Sequence, residues 1–173
     1  RISLPVVLGH EGAGTVERVG PGVTLTKPGD QVILSFVPAC GRCKFCLEGR
    51  SNLCDAHMAT GANMFDGTCR LHKGKQYIHH MGKVACFAEY AVVPETGCVP
   101  LSRPLPMDKA AMIGCCVPTG VGAALFSAKV QPGSTVAVVG CGGVGLNVIM
   151  GAGLVNASKI IAVDIRESQL EFA

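Results

Sequence analysis

The chain has 173 residues, of which 49% are hydrophobic and 16% are charged, a composition typical of a globular protein with a core of its own. The net charge of +3 comes from scattered lysine and arginine residues, which argues against nucleic acid as a partner. The window from Val136 to Val155 approaches membrane hydrophobicity, but its six glycines favour a strand, a turn and a helix instead of a membrane span. The opening residues lack the pattern of a signal peptide, so we expect a cytoplasmic location and no membrane partner.

The first part of the chain has a β pattern. Short apolar runs alternate with Gly and Pro turns up to Val37, and this alternation predicts two strands, Arg18–Gly20 and Gln31–Leu34, joined through a Pro-Gly corner. Residues 61–76 have the composition of an irregular loop. The apolar run Cys86–Val93 predicts a further strand, which ends at Pro94.

After Pro106 the composition shifts towards helix formers and then alternates between strand and helix patterns. The predicted order is helix, helix, strand, helix, strand: Met107–Met112, Val121–Lys129, Thr135–Val139, Val144–Leu154 and Ile160–Val163. The last three elements form a βαβ unit. The sequence therefore predicts two domains, a β-rich domain over residues 1–117 and the start of an α/β domain over residues 118–173.

Four of the ten cysteines cluster in a lobe over residues 38–57, and their spacing predicts a metal site. These residues are Cys40, Cys43, Cys46 and Cys54. Zinc binds four thiolates in a closed tetrahedral site. The lobe has too few apolar residues to bury a core, so the metal would hold it together. Because four sulfurs leave no open position for chemistry, this zinc site would be structural.

Two alternatives account for the same cluster, namely disulfides in an exported protein and an iron–sulfur centre. Nothing else in the chain indicates secretion or electron transfer. The other six cysteines are dispersed through apolar sequence and suit small core residues in a reducing compartment.

A glycine-rich turn between the predicted strand and helix indicates a dinucleotide-binding site. Gly140, Gly142 and Gly145 stand in GxGxxG register, with Gly143 and Val144 between the last two. In this arrangement the loop approaches a pyrophosphate, which binds at the helix N-terminus.

Asp164 ends the second strand of this unit, where a carboxylate would accept the ribose hydroxyls and favour NAD. Arg166 would soften that preference towards NADP. The alternative explanation is a packing turn followed by an incidental aspartate.

The segment that begins Gly9-His10-Glu11 and continues with Gly14, Gly20 and Val23 resembles the signature of the zinc-dependent medium-chain alcohol dehydrogenases. The cysteine lobe follows at that family's interval, and Asp66-Gly67-Thr68 and Phe87-Ala88-Glu89-Tyr90 continue the resemblance. A lone histidine would otherwise more often be an ordinary surface or core residue. The resemblance implies a GroES-like β-rich catalytic domain joined to a Rossmann parallel sheet, of which this chain carries the first part.

The resemblance also implies a second, catalytic zinc ion with His10 and Cys115 as ligands. Cys115 lies in a segment similar to the family's Gly-Cys-x-x-x-Thr-Gly motif, whose Thr119 we assign to the cofactor site. Cys116 stands where the family usually has glycine, and we expect it to be a core thiol. Glu11 is expected beside this zinc, although a solvent-exposed turn residue fits the sequence alone. The remaining cysteine ligand would precede Arg1.

The activity implied is zinc-assisted hydride transfer between a small alcohol or aldehyde and NAD, in a homodimer or homotetramer. The stretch from Asp66 to His80 resembles the animal-type and glutathione-dependent formaldehyde dehydrogenase branches, so S-hydroxymethylglutathione stands beside primary and aromatic alcohols as a substrate. Phe36 and, less clearly, Met81 resemble substrate-pocket positions of relatives, although residues of these types are more often simply part of the core. The alternatives are a non-enzymatic zinc-binding interaction module and a truncated, inactive piece of the dehydrogenase.

Overall fold

The computed structural model describes residues 3–173, and its contacts divide the chain after Gly114 into two compact units. The sequence places the domain boundary slightly later, after Val117, and the domain assignment remains a prediction. Arg1 and Ile2, at the start of the predicted first domain, lie outside the described residues.

One sheet of the first unit joins the start of the chain to a hairpin. The strands are β1 (Val6–Val7), β4 (Leu71–Lys73) and β5 (Gln76–His80). β5 is central, parallel to β1 and antiparallel to β4. β4 and the first residue of β5, Gln76, fall in the stretch over residues 61–76 that the sequence predicts to be an irregular loop, so that prediction is wrong there. The reason is that β5 gains a second neighbour from a distant segment, which no local pattern reveals.

The second sheet of this unit carries the core. Its strands are β2 (Gly12–Thr15), β3 (Gln31–Leu34) and β6 (Cys98–Pro100), with β3 between two antiparallel neighbours. Val32 and Leu34 lie on one face of β3 because side chains two apart share a face. They pack with Val84 in the buried cluster, and the helix α3 (Met107–Met112) lies against β2 and β3.

The predicted strand Gln31–Leu34 and helix Met107–Met112 are confirmed, but two other strand predictions are wrong. The partner of β3 is β2, not Arg18–Gly20, because the two strands are joined by a long turn over residues 16–30 instead of a tight corner. Cys86–Val93 is not a strand. The amides of Cys86 and Phe87 donate to the carbonyls of Gly9 and Leu8, and the left-handed φ of 51° at Ala85 turns the backbone just before them.

The cysteine lobe consists of short helical pieces. These are α1 (Lys44–Leu47), a single 3-10 turn at Ser51–Leu53 and α2 (Asp55–Thr60). None of the three contains a buried residue. The lobe therefore lacks a hydrophobic core of its own, in agreement with the sequence prediction.

The second unit is a βαβ arrangement preceded by a helix. Its elements are α4 (Cys116–Gly122), which continues as a wider helical turn over Ala123–Ser127, β7 (Thr135–Val139), α5 (Gly143–Leu154), β8 (Lys159–Val163) and α6 (Glu167–Phe172). β7 and β8 pair in parallel, with Val136 opposite Ile160. This confirms the predicted βαβ unit and the fold class of a β-rich part joined to an α/β part. Across residues 3–173, every helix is too short or too polar to cross a bilayer.

Candidate metal and cofactor sites

The four cysteines of the lobe converge on one point. Their sulfur atoms all lie within 4.8 Å of one another, and the Sγ atoms of Cys43 and Cys46 are 3.5 Å apart. Tetrahedral bonds of 2.3 Å to zinc would place sulfurs roughly 3.8 Å apart. The backbone amide of Cys40 also donates to Cys54 Sγ at 3.3 Å. The donor set and its spacing therefore suit a single tetrahedral ion.

The acidity of these thiols is uneven. The backbone amide of Cys46 lowers the pKa of Cys43, whereas burial raises the pKa of Cys46 to about 11. Burial also acts to raise the pKa of Cys54, but the backbone amides of Cys40 and His57 outweigh it and bring that pKa down to about 6. Thiolates this close repel one another, so a cation is required for all four to ionise.

Apart from the cysteines, glycine turns and exposed side-chain contacts order the loop. Gly41 and Gly49 turn the backbone with a φ of 74° each. Glu48 lies 3.9 Å from Lys44 and 4.0 Å from Arg50, and the Arg50 guanidinium lies 5.3 Å from the ring of Phe45. Exposed ion pairs of this kind contribute little to stability. The lobe therefore depends on the cysteine cluster for its stability.

The glycine-rich turn of the second unit is shaped for close approach. Gly140 has a φ of 94°, in the left-handed region that glycine favours. A Cβ at Gly145 would lie 1.8 Å from the Gly140 carbonyl oxygen, so no larger residue fits there. Gly142, Gly143 and Val144 are exposed at the start of α5. The turn thus presents bare backbone at the N-terminus of a twelve-residue helix.

Asp164 is bound to this turn. One carboxylate oxygen accepts the amide of Cys141 at 2.7 Å and the other accepts the amide of Arg166 at 2.9 Å. These amides hold the pKa of Asp164 below its ordinary value, and the Arg166 guanidinium contributes further from 3.9 Å. A carboxylate has about four acceptor positions, so Asp164 keeps the capacity to accept ribose hydroxyls.

His10 and Glu11 lie in the first unit, on the loop between β1 and β2. The His10 ring meets Phe36 edge-on, with centroids 5.2 Å apart. Gly9 positions this loop, because its φ is 97° and a Cβ there would lie 2.6 Å from the Phe87 amide nitrogen. Glu11 lines a cavity of about 520 Å³ between the second sheet and residues 88–93, and its carbonyl accepts Cys86 Sγ at 3.4 Å.

Cys115 and Cys116 begin the second unit and differ in environment. Cys115 is partly exposed, with its Sγ 3.9 Å from the Thr119 hydroxyl. Cys116 is buried, and the Asn147 amide lies 3.9 Å from its sulfur. This contrast agrees with a ligand role for Cys115 and a core role for Cys116, and both roles remain predictions.

Comparison with known proteins identifies the family. The alcohol dehydrogenase GroES-like domain matches residues 1–103, which is more than half of the chain. This chain belongs to that family. The GroES-like fold expected from the sequence is thereby confirmed for the first unit.

The similar proteins of this dehydrogenase family are about twice as long as the chain. S-(hydroxymethyl)glutathione dehydrogenase of Saccharomyces cerevisiae is 52% identical over 172 residues, which cover 97% of this chain and 44% of the yeast protein. The crystal structure of an alcohol dehydrogenase zinc-binding domain protein from Burkholderia ambifaria has a TM-score of 0.88 at 37% identity, covering 99% of this chain and 48% of that one. Benzyl alcohol dehydrogenase from Acinetobacter calcoaceticus has a TM-score of 0.82 at 36% identity, with 99% and 46% covered.

Sequence reasoning missed a group of buried polar residues beside the cysteine lobe of this GroES-like domain. His80 and Lys83 are fully buried, and His57 carries a buried Nδ1 atom without a hydrogen-bond partner among the described residues. Lysine is rarely buried, and nothing local in the sequence distinguishes Lys83 from the exposed lysines around it. Only the neighbouring pair His79-His80 offered a hint, since histidine is often buried with a polar role.

Proposed function

We propose that this chain is part of a zinc-dependent, NAD-linked alcohol dehydrogenase. The observation that carries the proposal is the combination, in one chain, of a GroES-like domain with a four-cysteine cluster and a βαβ unit with a carboxylate bound to its glycine turn. A zinc-binding interaction module would not require a βαβ unit with a carboxylate bound to its glycine turn.

The four-cysteine cluster is proposed to hold a structural zinc ion. Its sulfurs already lie within 4.8 Å of one another, and the short helices around them bury no residue of their own. With four sulfurs bound, no position is left for a substrate. Cys40, Cys43, Cys46 and Cys54 would therefore stabilise the lobe and take no part in the reaction.

His10 and Cys115 are proposed as ligands of a second, catalytic zinc ion, with Glu11 beside it. Bound there, zinc supplies a Lewis acid that polarises an alcohol oxygen and lowers its pKa. Neighbouring residues of this chain hold the zinc ligand His10 in position. Phe36 restrains the His10 ring by its edge-on contact, and Gly9 allows the loop to lie against the backbone at Phe87.

The βαβ unit is proposed to bind NAD. The bound nicotinamide accepts a hydride from the alcohol carbon. The backbone around Gly140, Gly142 and Gly145 would receive the pyrophosphate, with Gly143 and Val144 at the helix N-terminus. Asp164 would accept the ribose hydroxyls and disfavour the 2′-phosphate of NADP. Thr119 lies exposed on α4 and is proposed as a further cofactor contact.

The substrate we propose first is S-hydroxymethylglutathione. It is named in the 52% identical yeast relative, whereas the benzyl alcohol dehydrogenase is 36% identical. Aromatic and primary alcohols are the next candidates. We also propose a cytoplasmic location and a homodimeric or homotetrameric assembly.

The experiment that tests the function uses the full-length protein. Zinc is measured after purification without added metal, and NADH formation is followed with formaldehyde plus glutathione and, separately, with benzyl alcohol. We expect two zinc ions per chain and the faster reaction with the glutathione adduct. One zinc ion that is retained in His10→Ala, with no NADH from either substrate, would contradict the dehydrogenase proposal and support a zinc-binding module.

A further inference from the structure

Lys83 is a buried cation that has no carboxylate partner in the part of the chain that the structure describes. Its side chain is completely inaccessible to solvent. Its ammonium donates to the carbonyl of Gly61 at 2.7 Å and to that of His57 at 3.2 Å, and lies 5.5 Å from the ring of Phe65. None of the ion pairs found within residues 3–173 includes Lys83. Burying a charge is costly unless an opposite charge compensates it.

The backbone at Lys83 is also unfavourable. Lys83 has a φ of 59°, in the left-handed region that side chains rarely adopt, and Ala85 repeats this with a φ of 51°. Such conformations persist where the surrounding structure imposes them, and they are frequent at functional sites. The buried charge and the left-handed backbone of Lys83 both cost folding free energy, which indicates that another part of the native protein compensates for them.

The hydrogen bonds of Lys83 bind the end of α2, the helix that follows the last cysteine of the cluster. His57 and Gly61 lie in and just after the last turn of α2, where carbonyls lack partners within the helix. The helix begins immediately after Cys54, a metal-ligand candidate that is 1% exposed. At a rise of 1.5 Å per residue, His57 is about 4.5 Å along the helix from Cys54. Lys83 therefore holds the helix that positions Cys54.

The histidine buried beside Lys83 does not supply the same charge, and the cations of the cysteine lobe itself, Lys44 and Arg50, are exposed to solvent. Burial lowers the pKa of His80, and the charges of Arg70, His79 and Lys83 lower it further. The Nε2 atom of His80 accepts the Arg70 amide at 2.9 Å, which requires an unprotonated nitrogen. Burial lowers the pKa of Lys83 as well, but attraction to Cys54 opposes this effect, so the cysteine cluster favours the charged form of Lys83.

We propose that the Lys83 ammonium is the counter-cation of the four-cysteine metal cluster and holds α2 where Cys54 binds the ion. The inference rests on the proposed structural zinc. One zinc ion with four thiolates has a net charge of about −2, which would offset the charge on Lys83. The cluster likewise needs positive charge close by, because in a poorly hydrated interior charges interact strongly. Lys83 is a positioning residue, not a metal ligand.

The test measures how fast zinc leaves the full-length protein. Zinc-loaded protein is mixed with a chromophoric chelator, and the half-time of zinc transfer is recorded for the wild type, Lys83→Gln and Lys83→Arg. Glutamine can still donate to the two carbonyls but has no charge, whereas arginine keeps the charge. We expect Lys83→Gln to release zinc about 10–100-fold faster, as is usual when a residue that supports a metal ligand is lost. Lys83→Arg should remain close to the wild type.

Two control variants separate charge from general loss of stability. Val84→Ala removes packing at the neighbouring residue, which is 1% exposed, and should lower Tm while leaving the zinc half-time within about twofold. Lys75→Gln makes the same chemical change at an exposed lysine and should alter neither quantity.

The outcomes distinguish this inference from the proposed function. If the wild-type protein contains no zinc, the proposed structural zinc site is contradicted before any variant is compared. A wild type with zinc and a Lys83→Gln variant that releases it at the wild-type rate would overturn the counter-cation role. So would equal zinc release by Lys83→Gln and Val84→Ala at the same loss of Tm. If Lys83→Gln does not fold, fast release by Lys83→Arg would also overturn the inference.

Discussion

The carboxylate of Asp164 accepts the backbone amide of Cys141 at 2.7 Å, and this hydrogen bond joins the end of β8 to the glycine-rich turn that follows β7. The two residues are 23 positions apart. The bond places the proposed ribose-binding group at the turn that would bind the pyrophosphate. One side chain would therefore serve both the shape of the site and its preference for NAD.

Replacing Asp164 with asparagine tests this double role. We expect the KM for NAD to rise by roughly tenfold, because about one hydrogen bond to a charged group is lost. The preference for NAD over NADP should also fall. Steady-state kinetics of the full-length protein with both cofactors measure the effect. Glu167→Gln, an exposed acidic residue at the start of α6, is the control and should leave both constants unchanged. An unchanged cofactor preference in Asp164→Asn would contradict the ribose assignment.

The same carboxylate predicts a pH dependence of stability. Amide hydrogen bonds from Cys141 and Arg166 lower the pKa of Asp164 from its ordinary value of 3.8. A carboxyl group whose pKa is lower in the folded protein stabilises the folded state at pH values above its ordinary pKa. This stabilisation is lost as the pH falls through the pKa of the folded protein. The difference in urea midpoint between wild type and Asp164→Asn should therefore be full at pH 6 and shrink below pH 3.8. A difference that grows on acidification would contradict the hydrogen-bonding scheme.

Gly145 and Gly153 predict opposite effects of one substitution within α5. A Cβ at Gly145 would meet the Gly140 carbonyl at 1.8 Å, so Gly145→Ala should destabilise the protein by about 3 kcal/mol and weaken NAD binding. A Cβ at Gly153 would meet nothing within 4 Å, so Gly153→Ala should stabilise the helix by about 0.5–1 kcal/mol. Chemical denaturation and NAD titration compare the two. Equal stability changes would show that the close approach of Gly145 and Gly140 is not retained in solution.

The two proposed zinc sites predict different outcomes for stability and activity. Cys43→Ser should remove the ion from the lobe and lower Tm by roughly 10 °C or more, because the short helices bury no core. His10→Ala should leave Tm within a few degrees while abolishing turnover. Thermal melts, zinc content and rates of both full-length variants test the distinction. A similar loss of Tm in both variants would argue against separate structural and catalytic sites.

Local sequence was sufficient for features built from neighbouring residues. Cysteines at positions 40, 43, 46 and 54 can meet around one ion because the loop between them is short, and the sulfurs do converge. The glycine turn with its flanking elements β7, α5 and β8 was also predicted, because strand, turn and helix patterns follow one another within about 30 residues. Resemblance to a family extended the prediction to His10, Glu11 and Cys115, whose roles remain to be tested.

Features that depend on distant partners were decided by the tertiary structure. β5 pairs with β1 some 70 residues earlier, and Cys86–Val93, despite its apolar pattern, is not a strand because the left-handed turn at Ala85 and the contact with Gly9 redirect it. The burial of Lys83 arises in the same way, since the carbonyls that bind it belong to the last turn of α2 and the residue that follows it, more than 20 residues earlier. Spacing along the chain determined which chemical groups this protein possesses. Contacts between remote segments determined which of those groups are buried and hydrogen-bonded, because burial depends on every element that packs around a residue.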